Sequence, residues 1–106
     1  METSSDTLFV ALEYDKNLPK LDLHGVRPED VENTVFNFLL EQINNENYKA
    51  QIIYGRGGVG ALREKTTDFL NKNMAGSNPA LKLVKAWKES SLADAGGRCL
   101  VLLESA

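Results

Sequence analysis

Cysteine is almost absent from this sequence, and long apolar runs are absent altogether. The one cysteine, Cys99, excludes an internal disulfide framework, and it falls in a run that reads as a buried strand. A reducing, cytoplasmic setting is therefore expected. No apolar run exceeds the five residues of Cys99–Leu103, far short of the roughly 20 needed to cross a bilayer. Residues 1–6 are polar and acidic, so we expect neither a secretory leader nor membrane association.

Positive charge is also in short supply. Twelve Lys and Arg face 15 Asp and Glu, which gives a net charge of −3. This balance counts against a protein that coats nucleic acid, since such proteins are usually basic. Any contact with nucleic acid must then use a local patch, for which the candidates are Lys20, Arg27, Arg56, Arg63 and Lys65.

The length of 106 residues suits one compact domain. Residues 1–17 read as a partly ordered N-terminal extension around the apolar stretch Leu8–Leu12, and the domain proper is expected over residues 18–106. The apolar stretch has three possible uses: an added strand, a segment that docks on the domain, or a contact for a protein partner or a second copy of the chain.

Apolar periodicity predicts six elements in the order β-α-β-α-β-β. The strands are expected over residues 21–24, 50–54, 81–88 and 98–104, and the helices begin at Pro28 and near Leu62. Right-handed crossovers make the first two strands parallel, and the last two strands are expected to pair antiparallel. The predicted fold is therefore a two-layer α/β domain, with two helices on a four-stranded mixed sheet. The continuous apolar run of the last strand predicts that both its faces are covered.

Two loops of this fold are candidates for a site. Ligands of parallel sheets bind outside the carboxyl ends of the strands. His24-Gly25 follows the first strand and Gly55-Arg56-Gly57-Gly58 follows the second. If those strands are neighbours, the single histidine of the chain lies beside the glycine loop.

The glycine loop is interpreted as a phosphate-binding loop. Glycines let a phosphate approach the backbone, N–H groups at the next helix start favour an anion, and Arg56 can bind a phosphate bidentately. The alternative is a tight turn that needs glycine sterically. The pattern Gly55-x-Gly57-x-x-Gly60 also fits a dinucleotide fingerprint, but residues 74–80 lack the acidic residue that fingerprint requires, so a nicotinamide or flavin site is not expected.

His24 is the candidate general acid or base, although a lone histidine near an apolar strand is often structural. Asp22 can orient it or contribute to a loose Mg²⁺ site, since one histidine and one buried cysteine cannot assemble a zinc site. Tyr54, at the end of the second strand, either stacks on a base or packs in the core.

The motifs together resemble the Smr (small MutS-related) domain. Leu-Asp-Leu-His-Gly precedes an amphipathic helix, Ile-Ile-Tyr-Gly-Arg-Gly follows it, and Gly-Ala-Leu-Arg opens the second helix. The ending is also similar, with Val84–Lys88, a loop, and Gly96-Gly97-Arg98 before an apolar strand. The resemblance covers about residues 18–105.

The resemblance implies a fold like the C-terminal domain of translation initiation factor three, binding of DNA or RNA, and nicking endonuclease activity, with Mg²⁺ or Mn²⁺ as a possible cofactor. A role in DNA repair is implied only by the family's MutS relatives. Catalysis is carried onto His24, Asp22 and Arg56. From the second motif the resemblance carries function onto Gly55, Arg56 and Gly57. The residues themselves extend the predicted nucleic-acid-binding set to Gly58, Tyr54, Arg27, Arg63 and Lys65.

The chain departs from the family at Tyr54, where His or Thr usually precedes Gly-x-Gly. If that residue takes part in the chemistry, phosphate binding survives the change more easily than cleavage does. Two alternatives to a nuclease therefore stay open. One is a nucleic-acid-binding module without cleavage, and the other is a protein-interaction domain that uses Leu8–Leu12.

Overall fold

The computed structural model describes residues 9–12, 14–55, 60–76, 81–90 and 97–104. A 3₁₀ turn at Pro28–Asp30 precedes the first long helix. The elements are β1 (Lys20–Asp22), α1 (Val31–Asn44), β2 (Lys49–Ile53), α2 (Ala61–Ala75), β3 (Val84–Glu89) and β4 (Arg98–Leu103). This order and the mixed sheet confirm the predicted α/β fold.

The four strands form one sheet in the order β1-β2-β4-β3. β1 and β2 are parallel neighbours, with Asp22 opposite Ile53. β4 lies between β2 and β3 and is antiparallel to both. α1 connects β1 to β2, and α2 connects β2 to β3. Because β1 and β2 are parallel neighbours, their carboxyl ends meet at one edge of the sheet.

One face of the sheet packs against the two helices. α1 presents Val31, Val35 and Leu39, and all three are completely buried with Leu70 of α2 in the main core. The two helices also touch through Phe36 and Phe69, whose rings meet edge to face with centroids 6.5 Å apart. Burying a side chain of this size contributes roughly 1.5–3 kcal/mol each, so this helical face is a principal source of stability.

The other face of the sheet carries a smaller core built around the N-terminal segment. Residues 9–12 are helical, and Phe9 and Leu12 are buried against Leu100 and Leu102 of β4. β4 is thus covered on both sides, because Cys99, Val101 and Leu103 face the helices. The described part of the Leu8–Leu12 stretch packs on its own domain as a helical segment and adds no strand to the sheet.

β3 begins later than the alternation of residues 81–88 predicts. Leu83 and Val84 are adjacent and both are buried, and the pairing with β4 is irregular between Val84 and Ala86. Asn73 of α2 explains this geometry, because its Oδ1 accepts the backbone N–H groups of Leu83 and Val84, each at 2.8 Å. A side chain outside the strand thus satisfies its first donors, and simple alternation breaks down there.

Candidate functional site

The pairing of β1 with β2 brings the two predicted loops to one edge. Asp22 lies opposite Ile53, and the N–H of Leu23 donates to the Ile53 carbonyl at 2.8 Å. His24 is two residues past Asp22, and Gly55 is two residues past Ile53. The two segments that follow β1 and β2 therefore leave the sheet side by side, as the sequence predicts.

His24 sits in a tight turn that its neighbours define. The carboxylate Oδ1 of Asp22 accepts the backbone N–H of His24 at 2.9 Å, and the N–H of Val26 donates to the Leu23 carbonyl at 2.9 Å. Gly25 has a φ of +86°, a conformation that favours glycine. The His24 side chain is exposed. Asp22 thus orients the backbone of His24 rather than its imidazole ring.

The glycine loop is anchored where it leaves β2. The N–H groups of Tyr54 and Gly55 both donate to the Gly97 carbonyl, at 2.7 and 3.0 Å. Gly55 has a φ of +86°, so the chain turns sharply at this residue. Arg56, Gly57 and Gly58 lie outside the described residues, and their predicted roles stay predictions.

The loop ends at the N-terminus of α2. Gly60, the N-cap of α2, has no side chain that could accept a helix N–H group. The first backbone hydrogen bond of the helix runs from the Glu64 N–H to the Gly60 carbonyl at 2.7 Å. The first N–H groups of a helix have no partner within the helix and attract anions. This helix start therefore suits a phosphate group.

A cluster of three polar side chains joins this region to β3. The Tyr54 hydroxyl donates to Oε2 of Glu89 at 2.6 Å, and Arg63 binds both carboxylate oxygens, with Nη2 to Oε1 at 2.9 Å. The hydrogen bonds from Arg63 and Tyr54 lower the pKa of Glu89. Burial, and then the hydrogen bond to Glu89, raise the pKa of Tyr54 well above 10. The cluster therefore holds an ionised Glu89 against a neutral Tyr54.

This cluster decides between the two interpretations of Tyr54. The Tyr54 residue is only 5% exposed and belongs to the main core, so its ring offers no face to a base. Its hydroxyl proton is already donated to Glu89. The stacking role is not available in this geometry, and packing is favoured.

Glu89 is the site residue that the sequence does not reveal. The strand predicted over residues 81–88 ends just before it, whereas β3 includes it. The only available signal is the alternation of Trp87 and Glu89, which places both side chains on the face toward the helices. No local pattern pairs Glu89 with Arg63, 26 residues earlier.

The remaining predicted cations are spread over the surface. Arg27 is exposed beside the His24 turn, with its guanidinium 3.8 Å from the Glu29 carboxylate. Lys65 is exposed on α2, two residues after Arg63. Lys20 starts β1 and so lies at the opposite end of that strand from His24. In sequence, Arg27 follows the first loop, and Arg63 and Lys65 follow the second, whereas Lys20 precedes both.

Metal ligands do not gather at this edge. Within the described ranges, no three His, Cys, Asp or Glu side chains are placed to share a metal ion. Asp22 offers a single carboxylate, of which one oxygen accepts the His24 N–H. Cys99 is completely buried, and burial raises the pKa of its thiol to about 12, so it is not a nucleophile at neutral pH.

No helix in the described part of the chain is long and apolar enough to span a bilayer.

Comparison with known proteins identifies the domain. The sequence model of the Smr domain matches residues 21–104. The crystal structure of the Smr domain of Thermus thermophilus MutS2 superposes with a TM-score of 0.65 at 20% identity, and the match covers 82% of this chain and 99% of that one. Comparison with curated protein sequences found no significant match. At this identity the structural likeness concerns the fold.

Proposed function

Because the chain belongs to the Smr domain family, we propose that it binds DNA or RNA and nicks a phosphodiester bond beside His24. One observation carries the proposal: the parallel pairing of Asp22 with Ile53, which places His24 and the start of the glycine loop at the same edge. A general acid or base and a set of phosphate-binding N–H groups then face one scissile phosphate.

In the proposed reaction water attacks the phosphorus atom, and the bond to the leaving sugar oxygen breaks. His24 in its neutral form accepts the proton of the attacking water, or in its protonated form donates a proton to the leaving oxygen. Asp22 is a positioning residue, since it holds the backbone of His24 in the turn. The step needs no proton from Tyr54.

Charge on the phosphate is stabilised by the loop and by α2. The free N–H groups at the start of α2 and those of the glycine loop are the expected donors, together with the guanidinium of Arg56. Arg63 uses Nε and Nη2 on Glu89, and as a five-donor side chain it keeps N–H groups for phosphate. Because Glu89 largely offsets the charge of Arg63, we expect Arg56 to contribute more than Arg63 to stabilising the phosphate charge.

A binding module without cleavage is the second candidate function. The observation that favours it is the buried Tyr54 at the position where the family usually has His or Thr. Because its hydroxyl is committed to Glu89, Tyr54 cannot replace a histidine or threonine that contacts the phosphate. Binding through the helix start and the two loops is unaffected by this change.

Cleavage of end-labelled DNA and RNA panels, including supercoiled plasmid, tests the proposal. The assay compares the wild type with His24→Ala and Arg56→Ala, with and without Mg²⁺ or Mn²⁺. We expect nicking that falls at least about tenfold in each variant, because a general acid or base contributes roughly 10²- to 10⁴-fold and a donor to the transition-state charge roughly 10²- to 10³-fold. Glu41→Gln, an exposed change on α1, is the control and keeps full activity.

The other outcomes separate the two candidates. Binding that disappears in Arg56→Ala, with no cleavage by any protein, supports the module without cleavage. Nicking that persists unchanged in His24→Ala places the chemistry elsewhere and contradicts the proposal.

A further inference from the structure

A basic pocket lies on the sheet face that points away from the helices. It has a volume of about 290 Å³ and is lined by Tyr14, Asp15, Lys16, Lys20, Gln51 and Arg98. These residues come from the N-terminal segment and from β1, β2 and β4, and Lys20 is directly opposite Gln51 in the sheet. The volume is just below the range of ligand pockets, which measure roughly 300–1,000 Å³. The pocket therefore suits one small group.

The described lining of this pocket carries net positive charge, whereas the net charge of the chain is negative. Among the described residues that line it, three cations, Lys16, Lys20 and Arg98, meet one carboxylate, Asp15, whereas the whole chain carries −3. Oδ1 of Asp15 accepts the Asn17 N–H at 2.8 Å, which occupies part of that carboxylate. Nη1 of Arg98 donates to the side-chain oxygen of Gln51 at 3.1 Å, and Gln51 is only 4% exposed. The buried Gln51 side chain thus fixes the position of the Arg98 guanidinium.

An exposed aromatic ring completes the pocket. Tyr14 is 72% exposed, the largest exposed fraction among the large apolar side chains of the described chain. A solvent-facing ring beside cations is the combination that binds single-stranded nucleic acid, in which bases stack on the ring and phosphates lie on the cations. Tyr54 cannot provide that ring, because it is buried.

β1 links the pocket to the proposed site. Alternate residues of a strand face the same side, so Lys20 and Asp22 share the sheet face that points away from the helices. His24 follows them just past the end of the strand. At about 3.3 Å per residue, Asp22 at the end of β1 is roughly 7 Å from Lys20, and His24 lies in the turn just beyond it. A nucleic-acid strand lying along β1 reaches both places.

We propose that the pocket around Tyr14 binds one unpaired nucleotide of a nucleic-acid strand whose phosphate, further along, lies at His24. The base stacks on Tyr14, and the adjacent phosphate contacts Lys16, Lys20 and Arg98. The proposal rests on the proposed function, since it adds a second contact for the same strand. It assigns a preference for single-stranded segments to the N-terminal segment of this chain.

Fluorescence anisotropy with labelled single-stranded and duplex oligonucleotides tests this assignment. Tyr14→Ala is expected to weaken binding of the single strand about 5- to 100-fold and to leave duplex binding unchanged. Tyr14→Phe keeps the ring and retains the affinity. Because Tyr14 is mostly exposed, both variants are expected to fold, and circular dichroism checks this.

The lysines are tested by the salt dependence of binding. Lys16→Ala combined with Lys20→Ala is expected to reduce the slope of log K against log [salt] by about 1.4 for a single strand. Lys72→Ala combined with Lys85→Ala removes the same charge from residues outside the pocket, and its slope stays at the wild-type value.

The remaining outcomes distinguish the two proposals. If the wild type binds neither DNA nor RNA, the proposed function fails and the pocket assignment fails with it. If the wild type binds single strands and the Tyr14 and lysine variants bind equally well, the pocket assignment alone is wrong. Inorganic phosphate that displaces the oligonucleotide completely at low millimolar concentration also overturns it, because the pocket then binds a small anion without a base.

Discussion

Tyr54 and Glu89 lie 35 residues apart in sequence and are joined by a 2.6 Å hydrogen bond from the Tyr54 hydroxyl to the Glu89 carboxylate. The bond connects the end of β2 to the end of β3 across β4. With Arg63 on the same carboxylate, it also ties the first turn of α2 to the sheet. The glycine loop therefore runs between two fixed points, Gly55 and the start of α2.

Acid is expected to weaken the fold through Glu89. Its pKa is lowered in the folded protein, so the stabilisation is complete above its ordinary value of 4.5 and is lost as the pH falls through the folded value. Urea unfolding at about pH 6 and about pH 3.5 measures the difference. Glu89→Gln is expected to show a smaller loss than the wild type, and Glu41→Gln shows the wild-type loss. An equal loss in Glu89→Gln contradicts the role of this carboxylate.

Asn73 is expected to be more sensitive to substitution than an exposed polar residue of α2. Its side chain accepts two N–H groups from buried Leu83 and Val84, and it donates to the Leu81 carbonyl at 2.9 Å. Asn73→Ala leaves those donors unsatisfied, which costs about 2–4 kcal/mol in the free energy of unfolding.

Asn71 provides the matched control for this prediction. It lies two residues earlier on the same helix, and its Oδ1 accepts the Trp87 indole N–H at 2.9 Å in an exposed position. Asn71→Ala is expected to cost less than about 1 kcal/mol. Equal costs for the two variants in urea unfolding refute the role of buried donors.

Gly25 is expected to resist substitution for a purely conformational reason. A Cβ there meets no atom within 4 Å, but the φ of +86° is unfavourable for any L-residue with a side chain. Gly25→Ala should destabilise the protein by about 1–2 kcal/mol and weaken any activity of the neighbouring His24.

The control for Gly25 is Gly76, whose φ is −64°. Gly76→Ala should remain within about 0.5 kcal/mol of the wild type. Thermal unfolding of the two variants measures both values, and an unperturbed Gly25→Ala protein rules out the conformational explanation.

Leu12 is expected to matter as much as a residue of the main core. It is 2% exposed and packs with Phe9 on β4, so Leu12→Ala should cost about 2–4 kcal/mol. Val10 is 58% exposed on the same segment, and Val10→Ala should change the stability by less than about 0.5 kcal/mol. If both variants unfold at the wild-type urea concentration, the segment does not contribute to the fold in solution.

The sequence predicts the features that depend on local patterns. Alternation around Leu21 and Leu23 predicts β1, and the right-handed crossover rule predicts that β1 and β2 are parallel. The position of His24 and Gly55 at the same edge of the sheet follows directly from that pairing. The short run Leu8–Leu12 is harder, because periodicity does not separate a helical turn from a strand over five residues.

Contacts between distant residues are the part that the sequence does not predict. Glu89 and Asn73 look like ordinary solvated polar residues, since nothing near them in sequence marks their partners. Arg63 looks like a free cation at a helix start, whereas its guanidinium is bound to Glu89. Such pairs become visible only when the sheet order and the position of α2 are known.

The position of β4 inside the sheet bears on how the protein is made. Within the described residues β3 pairs only with β4, and the main core is closed by Cys99, Val101 and Leu103. A nascent chain that has reached residue 97 has the parallel pair β1–β2 and both helices, but its third strand has nothing to pair with. The four-stranded sheet is therefore complete only after residues 98–103 have left the ribosome, and until then unpaired strand edges and apolar surface are open to chaperones and to aggregation.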